Sequence, residues 1–452
     1  MRARKMESRE SMGDPLACPR CGGPLAQVDG ALRCGRCQAA FPRIGNLACL
    51  IDDPGLWRTV WLRRLDDYSA GVELRVAALR QEAEDPDLLP RTRQRLLRVA
   101  DGFEAQLAAV DALFEPLERD ADLLPSMAIP SRPEPGTQAA ILECYEHLFR
   151  DWVWGQRECE LSLGLLQAAL PQGLPGRVAV YGAGAGRLAV DVHQTLGPAR
   201  TYALDVNPLP FLVVDRMLAG ETVTLPEFPV DPSSDSEVVV ARELALPFPV
   251  REGLSFMFAD ALRPPFAPGS LDAVVTSWFI DVARADVRQT AAVINRVLRP
   301  GGLWVNVGPL RFHSTLSRSY TIEEVLEIVA GLAFEVGSQD RRDIPYFHSP
   351  VSGSRRTDTV FRFVARKTGD APAVEIPDPL PPWVANPLLP IPITQSLVAL
   401  GKTSMFTTGV LSMIDGTRSI ADVAQALGAA WGVEPGRLHD ELRAFLGRLP
   451  AS

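Results

Sequence analysis

The amino-acid sequence predicts an α/β protein with a mostly parallel, doubly wound sheet, accompanied by a small cysteine-rich unit and by helical additions. Four short apolar runs predict strands, at Arg177–Tyr181, Thr201–Asp205, Leu271–Ser277 and Gly302–Gly308. Two stretches with helical periodicity between them predict helices, at Arg187–Leu196 and Val287–Leu298. Strands that alternate with helices form a parallel sheet with helices on both of its faces.

The overall composition excludes several classes of protein. The chain has 452 residues, of which 46% are hydrophobic and 22% are charged, and its net charge is −9. This acidic balance argues against nucleic-acid binding, because a protein that binds nucleic acid needs a basic face. No run of about 18 apolar residues predicts a membrane span, and 1–14 lacks the apolar core of a signal peptide. Four of the seven cysteines cluster near the N-terminus instead of spreading as a disulfide framework, so we expect a cytoplasmic protein.

Two CxxC pairs predict a zinc ribbon. Cys18 and Cys21 form the first pair, and Cys34 and Cys37 form the second pair twelve residues later. Each pair has a glycine within it or close behind it, so two tight knuckles can direct four thiolates at one tetrahedral cation. Four cysteine ligands leave no open position for catalysis, which makes the predicted Zn²⁺ structural. Two disulfides or free thiols are the alternative.

A glycine-rich segment predicts a nucleotide-type cofactor site. Gly182, Gly184 and Gly186 lie between a predicted strand and a predicted helix, where bare backbone and free helix N–H groups can approach a ligand. Asp205 ends the next strand, in place to accept hydrogen bonds from ribose hydroxyls. The Asp260–Ala261 pair follows a further strand, in place to meet an adenine. NAD and FAD sites use similar glycines, but LRPGGLWVNVGPL is typical of class I methyltransferases, which favours S-adenosylmethionine as the cofactor.

Four segments resemble the carnosine N-methyltransferases, which methylate the imidazole of a histidine-containing dipeptide. The segments are FRDW, GAGAGRLA, SWFIDVA and RPGGLWVNVGPLRFH. The resemblance implies a Rossmann-like class I methyltransferase fold. It implies that Arg150 of FRDW contacts the cofactor and that Asp205 and Asp260 meet its nucleoside. It also implies that Asp281 and His313 bind the imidazole of the substrate.

The chemistry of imidazole methylation gives Asp281 a role on physical grounds. An imidazole nitrogen attacks a methyl group only with a free lone pair. A carboxylate that accepts the N–H of the other ring nitrogen fixes that tautomer and stabilises the developing positive charge. Asp281 could instead cap a helix that starts near Arg284, and His313 could be an ordinary loop residue.

Some positions depart from the family pattern. Tyr346 and His348 lie where the family carries a threonine–tyrosine pair, and we predict that Tyr346 contacts the substrate. His147 replaces a glutamine of the family. In SRRTDTVFRF, Arg355 and Arg356 lie where the family has a tyrosine cluster. This arginine pair indicates a carboxylate-bearing ligand, unless it is merely solvated.

Changes of composition divide the chain into six predicted segments. They are a disordered leader (1–14), the zinc ribbon (15–55), a helical region (56–137), the methyltransferase domain (138–368), a proline-rich linker (369–393) and a small helical domain (394–452). The last domain resembles the PqqD-like domains that bind leader peptides. A packing or dimerisation element is the alternative.

The sequence therefore predicts an S-adenosylmethionine-dependent N-methyltransferase that acts on an imidazole nitrogen of a dipeptide, a histidine derivative or a peptide. Two alternatives stay open. One is methylation of another small-molecule or peptide nucleophile, and the other is a catalytically silent scaffold protein.

Overall fold

The computed structural model describes residues 15–28, 30–118, 140–174, 176–312, 315–375, 380–395, 397 and 410–447. The predicted leader (1–14), the proline-rich end of the predicted helical region and His313 lie outside the described residues. The strands are β1 (Leu25–Val28), β2 (Ala31–Cys34), β3 (Ala40–Phe41), β4 (Arg43–Ile44), β5 (Leu47–Cys49), β6 (Arg177–Tyr181), β7 (Arg200–Asp205), β8 (Val223–Glu227), β9 (Val240–Leu244), β10 (Leu254–Phe258), β11 (Leu271–Ser277), β12 (Leu298–Gly308), β13 (Phe334–Tyr346) and β14 (Arg356–Lys367).

Several helices begin directly after a residue whose side chain caps the first turn. They are α1 (Pro54–Glu82), α2 (Pro90–Glu118), α3 (Tyr145–Phe149), α4 (Gln156–Ala169), α5 (Arg187–Thr195), α6 (Pro208–Leu218), α7 (Val287–Val297), α8 (Ile322–Gly331), α9 (Pro382–Ala385), α10 (Ile420–Trp431) and α11 (Pro435–Leu446). A π-helical turn, Arg150–Trp154, connects α3 to α4. No helix among these described elements is both long and apolar enough to cross a membrane.

The largest sheet positions the candidate site. Its strands follow the order β13-β14-β12-β11-β6-β7-β10-β5-β4. Strands β10, β7, β6, β11 and β12 are parallel to their neighbours in that series, and β14 is antiparallel to both β12 and β13. The strand order reverses at β6, which creates a crevice at the carboxyl edge where open α/β sheets bind ligands. This is the Rossmann-like class I methyltransferase fold, and it confirms the predicted fold class.

The cysteine-rich unit is shorter than the predicted ribbon at 15–55. Only β1, β2 and β3 form the separate small sheet. Strand β5 pairs in parallel with β10, and β4 pairs with β5, so both extend the main sheet. The side chains of Leu47 and Cys49 are 3% and 0% exposed. Burial of this apolar run against the main sheet explains why it forms part of that sheet and not of the ribbon.

The predicted helical region contains α1 and α2, which pack along each other. Tyr68 of α1 donates a hydrogen bond to Gln106 of α2 at 3.0 Å, and both side chains are buried. Leu113, Phe114 and the neighbouring apolar side chains of α2 belong to the same hydrophobic core as the main sheet. The helical region is therefore part of the body of the catalytic domain.

The C-terminal unit begins before the predicted boundary at residue 394. Val384 and Ile391, inside the predicted linker, are fully buried with Ile420 of α10. The unit packs on α1, where Arg63 forms a buried ion pair with Glu441, with 2.7 Å between Nε and Oε2. The second half of the predicted linker is thus structured, because its prolines alternate with apolar residues that the helices bury.

Candidate active site

The glycine turn connects β6 to α5, and each of its three glycines has a positive φ. The φ angles of Gly182, Gly184 and Gly186 are 63°, 53° and 87°. A Cβ on Gly182 would lie 2.5 Å from a ring carbon of Phe279, and one on Gly186 would lie 2.9 Å from the ring of Phe256. A Cβ on Gly184 would meet no described atom within 4 Å. The outer glycines therefore permit close packing inside the protein, whereas Gly184 faces open space.

Asp205 fastens this turn to the end of β7. Its Oδ2 accepts the backbone N–H of Gly184 at 2.8 Å, and its Oδ1 accepts the N–H groups of Val206 and Asn207 at 2.8 and 3.0 Å. Burial raises the pKa of the Asp205 carboxyl, while these hydrogen bonds act in the opposite direction. A carboxylate at the carboxyl end of the strand after the glycine turn is the arrangement that holds a ribose in such folds.

Asp260 and Ala261 follow β10 at the same edge of the sheet. The Oδ1 atom of Asp260 accepts the N–H of Leu262 at 2.8 Å, and burial raises the pKa of its carboxyl. The cysteine-rich unit supports the chain just beyond this pair. Ala17 donates its N–H to the carbonyl of Pro265 at 2.9 Å.

Arg150 lies in the π-helical turn, a distortion that often marks functional positions. Its guanidinium contacts the buried carboxylate of Asp151 at 2.6 Å. Burial alone would lower the pKa of Arg150, but the charge of Asp151 outweighs it and raises that pKa. The guanidinium lies 5.8 Å from the ring centroid of Trp278 and 5.2 Å from that of Tyr346, which are themselves stacked at 5.7 Å. These groups line a small open cavity, which measures about 350 Å³ when the solvent at its mouth is included.

Sequence reasoning missed several residues of this cavity. Trp278 has a φ of 47°, a strained conformation for a non-glycine residue, and its buried Nε1 makes no described hydrogen bond. Arg187 binds the carboxylate of Asp191 at 3.0 Å and the carbonyl of Asp151 at 3.0 Å, which ties α5 to the π-helical turn. Trp278 and Asp151 lie inside the segments SWFIDVA and FRDW, so the resemblance carried a signal for both.

Asp281 lies in the turn after β11, and its side chain is buried. It does not cap α7, because the N-cap of that helix is Asp286, whose side chain accepts the N–H of Arg288. Instead, Oδ2 of Asp281 accepts the backbone N–H of Arg311 at 2.9 Å. Phe279, two residues before Asp281, contacts the glycine turn. The structure thus brings the Asp281 turn close to the glycine turn, while His313 lies outside the described residues.

A second carboxylate, Asp358 of β14, organises the loop that carries Arg311. Its side chain is 1% exposed, and its two oxygens bind Arg311 at 2.7 Å and Arg356 at 3.2 Å. The guanidinium of Arg356 also lies 4.4 Å from the ring centroid of Tyr346. The buried carboxylate of Asp358 therefore connects two places. Through Arg311 it reaches the loop that holds Asp281, and through Arg356 it reaches Tyr346, which lines the Arg150 cavity.

The histidines near the site differ in their surroundings. His147 contacts the hydroxyl of Tyr346 through Nε2 at 3.1 Å, and burial lowers its pKa to about 3. Its imidazole is therefore neutral at physiological pH. Burial also raises the pKa of Tyr346. His348 directs its ring at the carbonyl of Arg356, 2.7 Å away, and its backbone N–H is accepted by Glu158.

The four cysteines of the CxxC pairs converge on one point. Their sulfur atoms all lie within 4.8 Å of one another. The Sγ atoms of Cys18 and Cys37 are 3.6 Å apart, and those of Cys21 and Cys34 are 3.5 Å apart. A tetrahedral site with Zn–S bonds of about 2.3 Å requires sulfur separations near these values. Gly23 permits the convergence, because a Cβ there would lie 3.0 Å from the Sγ of Cys34.

The segment 241–368 matches the family model described as carnosine N-methyltransferase. This segment contains Asp260, Asp281, Tyr346 and Asp358, whereas the glycine turn and Arg150 precede it.

Individual carnosine N-methyltransferases are similar to parts of the chain. The protein of Dictyostelium discoideum is 24% identical over 190 residues, which cover 38% of this chain and 40% of the relative. The rat protein is 36% identical over 69 residues, covering 15% of this chain and 17% of the relative. The protein named carnosine N-methyltransferase unmet, of Drosophila melanogaster, is 38% identical over 79 residues, covering 17% of each. The chain thus spans about two fifths of the Dictyostelium relative and less of the others.

Proposed function

We propose that this protein is an S-adenosylmethionine-dependent N-methyltransferase that methylates an imidazole nitrogen of a histidine-containing small molecule or peptide. The observation that carries the proposal is the contact between the glycine turn and the loop of Asp281. Because Phe279 packs on Gly182, the carboxylate of Asp281 belongs to a loop that borders the cofactor crevice. The similarity of 241–368 to the family model supports the same reaction.

The residues of the crevice fit the cofactor. S-adenosylmethionine, when bound, supplies a methyl group carried by a positively charged sulfonium. Gly184 leaves the space that such a ligand needs, between its two tightly packed neighbours. Asp205 offers the remaining lone pairs of its carboxylate to ribose hydroxyls, and Asp260 with Ala261 borders the place for the adenine. Arg150 carries the positive charge that the carboxylate of the cofactor requires.

Asp281 acts on the nucleophile. Its carboxylate accepts the N–H of one ring nitrogen of the substrate, which leaves the lone pair of the other nitrogen free to attack. The same negative charge stabilises the imidazolium that forms as the methyl group is transferred. The N–H of Arg311 holds the carboxylate in place, so little reorganisation is needed. We further propose that His313, which lies outside the described residues, and Tyr346, at the end of β13, contact the substrate.

We also propose that Cys18, Cys21, Cys34 and Cys37 bind a structural Zn²⁺. The sulfur separations support tetrahedral coordination, and four thiolates leave no ligand position for a reacting group. Recognition of a leader peptide by the C-terminal unit stays a prediction.

Two measurements test the function. Calorimetric titration with S-adenosylmethionine tests cofactor binding, and the absence of binding at tens of micromolar would favour the scaffold alternative. Mass spectrometry of histidine, carnosine and histidine-containing peptides, incubated with the cofactor and the enzyme, tests the reaction. A methyl group on the imidazole is the expected product. Methylation elsewhere would support the alternative of another nucleophile.

A pair of variants tests the role of Asp281. Asp281→Asn should lower kcat by roughly 100-fold or more, as expected for loss of a group that stabilises developing charge, while the Kd for S-adenosylmethionine changes less than twofold. Asp286→Asn is the matched control, since asparagine is also a good N-cap, and it should retain kcat. Equal losses of turnover and cofactor affinity in Asp281→Asn would contradict a role at the substrate.

A further inference from the structure

The chain that leads from the cysteine-rich unit into α1 passes the end of β10. Leu50 donates its backbone N–H to the carbonyl of Phe258, the last residue of β10, at 2.7 Å. Two residues later, the carboxylate of Asp52 binds the guanidinium of Arg263 at 2.7 Å. Arg263 belongs to the turn after β10, where its backbone N–H is donated to the carbonyl of Asp260 at 3.0 Å. The turn that carries Asp260 is therefore held by the chain that leads into α1.

Trp57, near the start of α1, contacts the ends of two neighbouring strands of the main sheet. Its indole Nε1 donates a hydrogen bond to the carbonyl of Val206 at 3.0 Å, and Val206 directly follows Asp205 at the end of β7. The rings of Trp57 and Phe258 lie 5.1 Å apart, and Phe258 is fully buried. One side chain of α1 thus joins the two strand ends beside which we place the ribose and the adenine.

The start of α1 is itself fixed in position. Asp53 caps the helix, because its Oδ1 accepts the backbone N–H of Leu56 at 3.0 Å, and its Oδ2 binds Arg443 of α11 at 2.6 Å. The side chain of Leu56 is buried in the apolar core of the C-terminal unit. The cap and the C-terminal unit together therefore determine where the indole of Trp57 lies.

The loop after β7 needs such support, because burial does not hold it. Val206 is 44% exposed. Its N–H is accepted by the carboxylate of Asp205, and its carbonyl accepts the N–H of Trp57. A ligand that binds to a loose loop loses affinity because the loop must be ordered, whereas a loop already held in place does not impose that cost.

We propose that Trp57 and Asp52 are positioning residues of the cofactor site, which hold the loop after β7 and the turn after β10 in place for the nucleoside. The inference rests on the proposed function for the identity of the cofactor alone. It makes the start of α1, which lies outside the sheet that carries the glycine turn, part of the cofactor-binding machinery.

Trp57→Phe tests the proposal, because it removes the indole N–H and keeps an aromatic ring on Phe258. Calorimetric titration with S-adenosylhomocysteine, the demethylated cofactor, should give a Kd about three- to tenfold higher than that of the wild type, as expected for the loss of one hydrogen bond. Hydrogen exchange, followed by mass spectrometry of the protein without ligand, should become faster in the loop after β7. Trp61→Phe is the matched control, since Trp61 lies one helical turn later and is buried in the main core.

Trp61→Phe should lose stability and keep both the Kd and the exchange rate of that loop. If Trp57→Phe binds S-adenosylhomocysteine as tightly as Trp61→Phe does, the role of Trp57 is overturned. The same holds if its Kd rises while exchange in the loop is unchanged. Asp52→Asn should raise the Kd by about two- to threefold, because a partly exposed ion pair contributes less. If Trp57→Phe does not fold, Asp52→Asn decides, and an unchanged Kd there overturns the proposal.

The binding measurements also separate the inference from the proposed reaction. If the wild-type protein binds S-adenosylhomocysteine and the variants behave as expected, but no imidazole is methylated, the proposed reaction fails and the inference stands. If the wild-type protein does not bind S-adenosylhomocysteine at tens of micromolar, both fail.

Discussion

Replacement of Gly184 by alanine should weaken cofactor binding while leaving the protein folded. A Cβ at this position meets no described atom within 4 Å, yet φ is 53°. The protein therefore loses only the backbone energy of a left-handed alanine, about 1–2 kcal/mol. For a domain of this size that energy lowers the thermal midpoint by roughly 2–8 °C. The N–H that binds Asp205 is kept, so the turn should retain its shape.

The new methyl group would occupy the space in which we place the cofactor. We expect the Kd for S-adenosylmethionine to rise by at least about tenfold, which corresponds to ~1.4 kcal/mol. Calorimetric titration measures this change, and thermal denaturation without ligand measures the backbone term. Gly220→Ala is the matched control, because Gly220 has a φ of 86°, meets no described atom within 4 Å of its Cβ and lies beyond α6.

The two variants should lose similar stability and differ in ligand affinity. If Gly184→Ala binds S-adenosylmethionine as tightly as Gly220→Ala does, the open side of the turn is not the cofactor site. If Gly184→Ala loses far more stability than Gly220→Ala, the space at Gly184 belongs to protein packing. Either result would refute the reasoning.

Three further predictions concern the groups around the crevice. Cys34→Ser, or treatment with a chelator, should lower the thermal midpoint and weaken S-adenosylmethionine binding several-fold. The reason is that the cysteine-rich unit supports the chain beyond Asp260. Metal analysis and calorimetry measure these changes. Burial lowers the pKa of His147 to about 3, from about 6.5 in the unfolded state. As the pH falls, the unfolded state therefore binds a proton first. The contribution of His147 to stability is complete above about pH 6.5 and is lost as the pH falls toward 3. His147→Gln should therefore reduce the pH dependence of the free energy of unfolding between pH 6 and 4 by up to ~1.4 kcal/mol per pH unit. Urea denaturation at each pH measures this. Asp358→Asn should cost about 1.5–3 kcal/mol of stability. It should also lower kcat for carnosine, since it releases Arg311; an unchanged kcat in steady-state kinetics would contradict this.

The sheet and the cofactor crevice could be predicted from local patterns. The glycines and Asp205 occupy positions that the strand–turn–helix geometry dictates, and the carboxyl ends of parallel strands meet at one edge. The convergence of the four cysteines could also be predicted, because the spacing of two CxxC pairs is typical of four thiolates that face one point. In these cases residues close in sequence determine the arrangement.

The sequence did not disclose contacts between distant segments. Arg187 binds Asp151 across 36 residues, and Asp358 binds Arg311 across 47 residues. Such pairs follow from the packing of helices and strands and not from any local period. The sequence also places Leu47 in the cysteine-rich unit, whereas its strand, β5, pairs with β10 of the main sheet. That pairing, too, joins segments that are distant in sequence.

One buried carboxylate, Asp358, connects Arg356 to the loop of Asp281. Asp281 is held by the backbone of Arg311, and the side chain of Arg311 is held by Asp358, which also holds Arg356. Because Asp358 is buried, its negative charge must be compensated, and two guanidiniums contact it. Loss of Arg356 should therefore disturb the loop of Asp281 only indirectly, through Asp358 and Arg311, whereas loss of Asp358 should disturb that loop more directly.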